Sequence, residues 1–195
     1  MISKNDLWPH QRKSVDRISE QSAPRRLLAF EMGCGKTRTA ATAIAEHAER
    51  LNGRGYVFVV APKAVVGVWF DELSRPSYKQ LLAPYLIDKR YRRIDSSSRV
   101  DWFASRVAES NALGRVAVFI LNYEMINAGR TKNSKSQAAF EFSQLRPPSG
   151  IVYDESHWLA NAKSSRSKTA VRIVYVMGPR SLVLCLSGTP FTTTP

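Results

Sequence analysis

Short apolar runs recur along the chain with segments of helical period between them, and this alternation limits the available folds more than any other feature. The runs are "RLLAF" (26–30), "YVFVVA" (56–61), "APYLID" (83–88), "VAVFIL" (116–121), "GIVYD" (150–154) and "SLVLCLS" (181–187). They are near-continuously hydrophobic, as strands of a parallel sheet buried on both faces must be. Between the first two runs, Ala40, Ala41, Ile44, Ala48 and Leu51 form one apolar stripe at helical spacing, and "NGRG" at 52–55 supplies a stop. Val100, Phe103 and Val107 repeat at three and four residues, and "KTAVRIVYV" (168–176) supplies a further, more β-branched helical segment. Strands alternating with helices predict an α/β sandwich with a mainly parallel sheet. With 195 residues, 44% of them hydrophobic, the chain can bury one core, so a single domain over 1–195 is expected.

Charge narrows the partners. The chain carries 29 Lys and Arg against 16 Asp and Glu, a formal charge of +13. That balance favours a polyanion, with nucleic acid ahead of an anionic membrane. "NAGRTKNSKSQ" (127–137) and "NAKSSRSK" (161–168) read as exposed loops or loop-to-helix junctions. Such runs also serve plain solubility, but their place beside the motifs below points to nucleic-acid contact. The start "MISKNDLWPHQ" lacks the apolar stretch of a signal peptide, and no run approaches the ~20 apolar residues of a membrane span. The expectation is an intracellular protein that is not secreted and does not enter a membrane. Cys34 and Cys185 lack the number and spacing of a disulfide framework or metal site and are expected to be reduced thiols.

Two stretches carry chemistry. "FEMGCGKTRTA" (30–40) ends like the phosphate-binding pattern GxxxxGK[ST], with Phe30 where the first glycine belongs. A phosphate loop needs inward-pointing backbone N–H groups, a helix starting at the loop, a lysine for the β and γ phosphates, and a hydroxyl for Mg²⁺. Gly33 and Gly35 supply freedom in φ, Lys36 the charge and Thr37 the hydroxyl, between an apolar strand and a patterned helix. An incidental GxGKT turn would show the same residues, so a second site is needed. Hydrolysis calls for one carboxylate to hold hydrated Mg²⁺ and another to orient or deprotonate the attacking water, both at the end of a buried strand. "GIVYDESHWLAN" has that form, with Asp154 and Glu155 followed by Ser156 and His157.

Taken in order, these residues resemble the first RecA-like domain of a superfamily-two DExH helicase or translocase of the Swi/Snf-like branch, especially its phage and bacterial members. "LWPHQ" (7–11) resembles the segment whose glutamine reads adenine, and "FEMGCGKT" resembles motif I of that branch, in which the first glycine is often missing. "VVAPKAVVGVWFDEL" (59–73) is similar to motif Ia, "ILNYE" (120–124) to motif Ib, "DESH" (154–157) to motif II and "LSGTP" (186–190) to motif III. The resemblance implies a RecA-like P-loop NTPase three-layer sandwich that uses ATP and Mg²⁺. Carried across, Gln11 would contact adenine with Trp8 or His10 beside it, although "LWPHQ" also fits a plain helix start with Pro9 in its first turn. Gly33, Cys34, Gly35 and Lys36 would cradle the phosphates, and Thr37 and Asp154 would serve Mg²⁺. Glu155 would position the hydrolytic water, and His157 would link the nucleotide site to motif III through Ser187 or Thr189. Pro62, Lys63, Asn122 and Tyr123 would face nucleic-acid phosphates, DNA being preferred. Trp69, at helical spacing beside Val65, Val66 and Leu73, is expected in the core rather than stacked on bases.

The motifs end at 190, and the family's second RecA-like domain, which brings arginines to the γ-phosphate, has no counterpart in these 195 residues. The expectation is that the isolated chain binds ATP and Mg²⁺ weakly, hydrolyses slowly and does not unwind or translocate alone. A free-standing non-motor module that keeps the fold as a competitor is the alternative, and a small P-loop enzyme such as a kinase is a third reading.

Overall fold

A computed structural model describes residues 6–20, 24–87, 98–126 and 138–188. The apolar runs form β1 (Arg25–Ala29), β2 (Tyr56–Ala61), β3 (Leu82–Leu86), β4 (Val116–Asn122), β5 (Gly150–Tyr153) and β6 (Leu182–Ser187). These make one six-stranded sheet in the order β1-β6-β5-β2-β4-β3, and every pairing is parallel. The helices are α1 (Pro9–Ser19), α2 (Lys36–Arg50), α3 (Val66–Leu73), α4 (Arg99–Ala112), α5 (Ala138–Leu145) and α6 (Ser165–Val176).

Chain order and strand order together dictate the layers. From β1 through β2 to β3 the chain moves one way across the sheet, and from β3 through β4 and β5 to β6 it moves back. Right-handed crossovers therefore put α2 and α3 on one face and α4, α5 and α6 on the other. Alternate residues of β2 serve the two cores. Val57, Val59 and Ala61 join Ile44, Trp69 and Leu73 on one side, while Tyr56, Phe58 and Val60 join Phe103, Phe142 and Ile173 on the other. The result is the expected three-layer α/β sandwich.

The expectation that each run is buried on both faces fails at the edges. β1 is an outer strand in which only Leu28 is buried, and Leu27 stands exposed. β3 is the other edge, with Leu82 buried and the rest half-buried. An edge strand has one side without ladder partners, so Pro84 is tolerated there. The stop after α2 is as expected. Asn52, Gly53 and Gly55 have φ of 50°, 70° and 90°, and a Cβ on Gly53 would meet the Gly114 backbone at 2.3 Å. "NAKSSRSK" is a junction: the Ser164 side chain caps Ser167 N–H at 3.1 Å, and α6 begins at Ser165, ahead of the expected 168. Segment 127–137 lies outside the described residues.

This topology positions the site. The turns after β1, β2, β4, β5 and β6 all open at the C-terminal edge of one parallel sheet, the edge where α/β folds place ligands. Register brings their ends level, with Ala29 opposite Ser187, Val60 opposite Tyr153 and Ala61 opposite Asn122.

Candidate functional site

Past β1 the chain turns through 30–35 and enters α2 at Lys36. Gly33 (φ 82°) and Gly35 (φ 75°) occupy the left-handed region that side-chain-bearing residues avoid. Phe30 does not have positive φ, so the missing first glycine removes no backbone conformation that this turn uses. The Phe30 ring packs edge-on against His10 at 5.3 Å, and its carbonyl accepts from Lys36 Nζ at 3.1 Å. Lys36 also donates to the Glu31 carbonyl at 3.3 Å. Gly188, just past β6, comes close enough that a Cβ there would lie 3.4 Å from Lys36 Nζ.

The "LWPHQ" segment is both helix start and loop neighbour. Gln11 Oε1 accepts from Trp8 N–H at 2.9 Å, which satisfies one of the unpaired donors at the start of α1. Its Nε2 donates to the Cys34 carbonyl at 3.4 Å, and His10 Nε2 lies 3.1 Å from the same oxygen. A Cβ on Gly35 would fall 2.0 Å from Gln11 Nε2. Gly35→Ala is therefore expected to displace Gln11 and strain the loop, at a cost of about 1–3 kcal/mol. Urea unfolding measures this cost; a change below about 0.5 kcal/mol would show that the turn relaxes freely.

The carboxylates follow β5. Asp154 N–H donates to Val60 O at 2.8 Å, which extends the ladder by one residue and fixes where the side chain starts. The residue is only 6% exposed. Its Oδ2 accepts from Trp69 Nε1 at 2.8 Å and its Oδ1 from Glu155 N–H at 3.0 Å. Burial pushes the Asp154 carboxyl above the usual carboxylate range; the Trp69 hydrogen bond opposes this, the Glu155 charge adds to it, and the Glu155 N–H and Lys36 ammonium oppose it. Glu155 sits at φ 49°, ψ 53°, a left-handed conformation that costs a residue with a side chain about 1 kcal/mol or more. This bend leads into the short 3-10 turn Ser156–Leu159. His157 Nδ1 lies 3.3 Å from Glu155 Oε2 and 3.5 Å from Ser187 Oγ, so β5 and β6 meet through this side chain. Thr189, the other residue expected at that junction, lies outside the described residues.

The residues read as nucleic-acid contacts divide. Lys63 is exposed in the turn after β2, beside half-buried Pro62. Asn122 is buried, and its Oδ1 accepts from Glu124 N–H at 3.0 Å and Met125 N–H at 3.2 Å, so the side chain shapes its own turn. Tyr123 is 1% exposed, and its hydroxyl donates to the Asp154 carbonyl at 2.7 Å. The Tyr123 side chain thus buttresses the Asp154 turn from within and presents no ring or hydroxyl to a phosphate. Trp158 stacks on Tyr123 at 5.6 Å and carries the Arg166 guanidinium 5.0 Å from its ring centre, yet remains 43% exposed. Trp69 lies in the core as expected, but its polar edge reaches Asp154. The hydrophobic pattern around Trp69 carried no sign of that bond.

A lysine-bearing glycine loop, a buried aspartate and a bent glutamate thus share one sheet edge, and comparison with known proteins gives them a family. The profile of the SNF2-related domain matches residues 10–194. The chain belongs to the SNF2-related domain family. Among curated relatives, the RNA polymerase-associated protein RapA of Pectobacterium atrosepticum is 30% identical over 94% of this chain. The RapA of Pectobacterium carotovorum is 28% identical over the same share. In each case the match spans 17% of the relative's length. Among solved structures, the Sulfolobus solfataricus SWI2/SNF2 ATPase core in complex with dsDNA superposes with a TM-score of 0.62 at 19% identity, covering 95% of this chain and 32% of that one. The Pyrococcus furiosus Hef helicase domain gives 0.66 at 16% identity, covering 98% and 35%. Together these make the chain an SNF2-related domain of the superfamily-two helicase class with a RecA-like fold. No helix among the described residues is long and apolar enough to cross a membrane.

Proposed function

We propose that this SNF2-related domain is the ATP-binding half of a DNA-dependent motor, a helicase or duplex translocase, and that it also contacts the nucleic-acid backbone. One observation carries the reading. The turn holding Lys36, the turn holding Asp154 and Glu155, and Gly188 beyond β6 converge at one sheet edge, with Gly188 over the Lys36 ammonium and His157 between Glu155 and Ser187. In this reading Lys36 holds the β and γ phosphates, with the loop N–H groups around them.

The residues fit a hard divalent cation. Asp154 is a carboxylate whose two engaged oxygens retain further lone pairs, and the Thr37 hydroxyl follows Lys36 at the start of α2. Oxygen ligands of this kind, few in number and completed by phosphate and water, suit Mg²⁺. Bound there, Mg²⁺ would neutralise charge on the phosphates. Glu155, at the left-handed bend that follows Asp154, would orient the attacking water and take its proton. His157 holds Glu155 against β6, so movement of β6 would be felt at the base. The arginines that complete such a site would come from a second RecA-like domain, in cis or in trans, so residues 1–195 assayed apart from such a domain should turn over slowly.

Lys63 and the turn after β2 supply the backbone contact, where charge and donors matter and base identity does not. Anisotropy titrations with unrelated duplexes test this. Affinity should fall about tenfold or more between 50 and 200 mM salt, independently of sequence, and Lys63→Ala should lower the salt slope by about one. Binding that ignores salt, or that prefers one sequence strongly, would contradict this part of the reading.

A further inference from the structure

The Asp154 carboxylate is gripped by two donors of different origin. Glu155 N–H, from its own turn, takes Oδ1 at 3.0 Å. Trp69 Nε1–H, from α3, takes Oδ2 at 2.8 Å. Rotation of a carboxylate about its last bond is broad and roughly two-fold when nothing holds it. Donors on both oxygens from two separate elements fix its plane. Trp69 is suited to this because it is wholly buried in the same core as Val59, Ala61 and Leu73. Its ring therefore cannot swing, and its single polar atom can only donate. α3 also follows directly on the Pro62–Lys63 turn, so the carboxylate is tied to the element behind the exposed lysine.

We propose that Trp69 is a positioning residue for the reaction at this site: its indole N–H fixes the plane of the Asp154 carboxylate and thereby sets how tightly the bound nucleotide retains Mg²⁺. The inference rests on the reading of Asp154 as the metal-bearing carboxylate. A purely structural tryptophan would support the core and leave the metal dependence alone.

Trp69→Phe keeps most of the ring and removes the donor. Binding of a fluorescent ATP analogue is measured in EDTA and across a Mg²⁺ titration. Affinity in EDTA should stay within about twofold of wild type, while the Mg²⁺ midpoint rises about tenfold, the size expected from one hydrogen bond to a charged group. In an Asp154→Asn background the same substitution should add nothing to the midpoint, because the coupling runs through that carboxylate. A midpoint unmoved by Trp69→Phe, or moved equally in both backgrounds, overturns the proposal and leaves the ATP reading standing. A wild-type chain that binds no nucleotide overturns both. If Trp69→Phe does not fold, the indole N–H signals of the wild-type chain replace it, the other tryptophans being assigned with Trp8→Phe, Trp102→Phe and Trp158→Phe. The Trp69 signal should shift when Mg²⁺ joins the nucleotide, and should lose that response in Asp154→Asn. A signal that ignores Mg²⁺ overturns the proposal.

Discussion

Alanine at Lys36 is expected to weaken nucleotide binding about 100-fold or more and to leave duplex binding within about twofold of wild type. The first figure follows from removing a charge that, in the proposed reading, would make more than one hydrogen bond to phosphate, each worth about 1.5–3 kcal/mol. The second follows from placement: Lys36 Nζ is turned inward onto the Phe30 and Glu31 carbonyls, whereas exposed Lys63 belongs to a different turn, after β2. Equilibrium titrations with a fluorescent nucleotide and a labelled duplex measure both quantities on one preparation. Loss of both together would show that the nucleotide and nucleic-acid sites are one.

Glutamine at Glu155 should lower single-turnover hydrolysis by about 10²–10⁴, the usual contribution of a positioned base, while nucleotide affinity stays within about threefold. Glutamine has the same shape and meets the same left-handed backbone at this position, so the bend in the turn and the fold are retained. What it loses is the capacity to take a proton and to pair with His157, 3.3 Å away. Hydrolysis that proceeds unchanged would place the base on another residue. An equal loss of affinity would instead make Glu155 a binding residue.

Both substitutions concern residues that could be named from the sequence, and the reason is physical. A strand buried on both faces must be apolar throughout, so β2 and β4 announce themselves, and the polar residues that end such strands are conspicuous. Asp154 and Glu155 follow "GIVY" abruptly, and Lys36 stands between two glycines and a helix with a clear apolar stripe. The edge strands were less legible in burial, because β1 and β3 use similar residues while lying at the two ends of the sheet order, where fewer neighbours cover them. α5 was not legible at all. "AAFEFSQL" packs its apolar residues so densely into 8 positions that neither helical nor strand period stands out.

Long-range polar contacts were the least visible. Trp69 and Asp154 are 85 residues apart in sequence, and a tryptophan in an apolar helical pattern gives no indication that its N–H faces a carboxylate. Tyr123 shows the same limit. Its position at the end of β4 suggested a surface contact, but the side chain turns inward and its hydroxyl reaches the Asp154 carbonyl, 31 residues on. Sequence locates the ends of strands well; whether the next side chain faces solvent or the neighbouring turn depends on helices packed behind it.

The most direct test of an ATP-binding SNF2-related domain is calorimetric titration of ATP into the isolated chain with Mg²⁺ present. One saturable site per chain is expected, weakened by removal of Mg²⁺ and lost in Lys36→Ala. Heats showing no saturable binding, or binding that survives Lys36→Ala with full affinity, would contradict it.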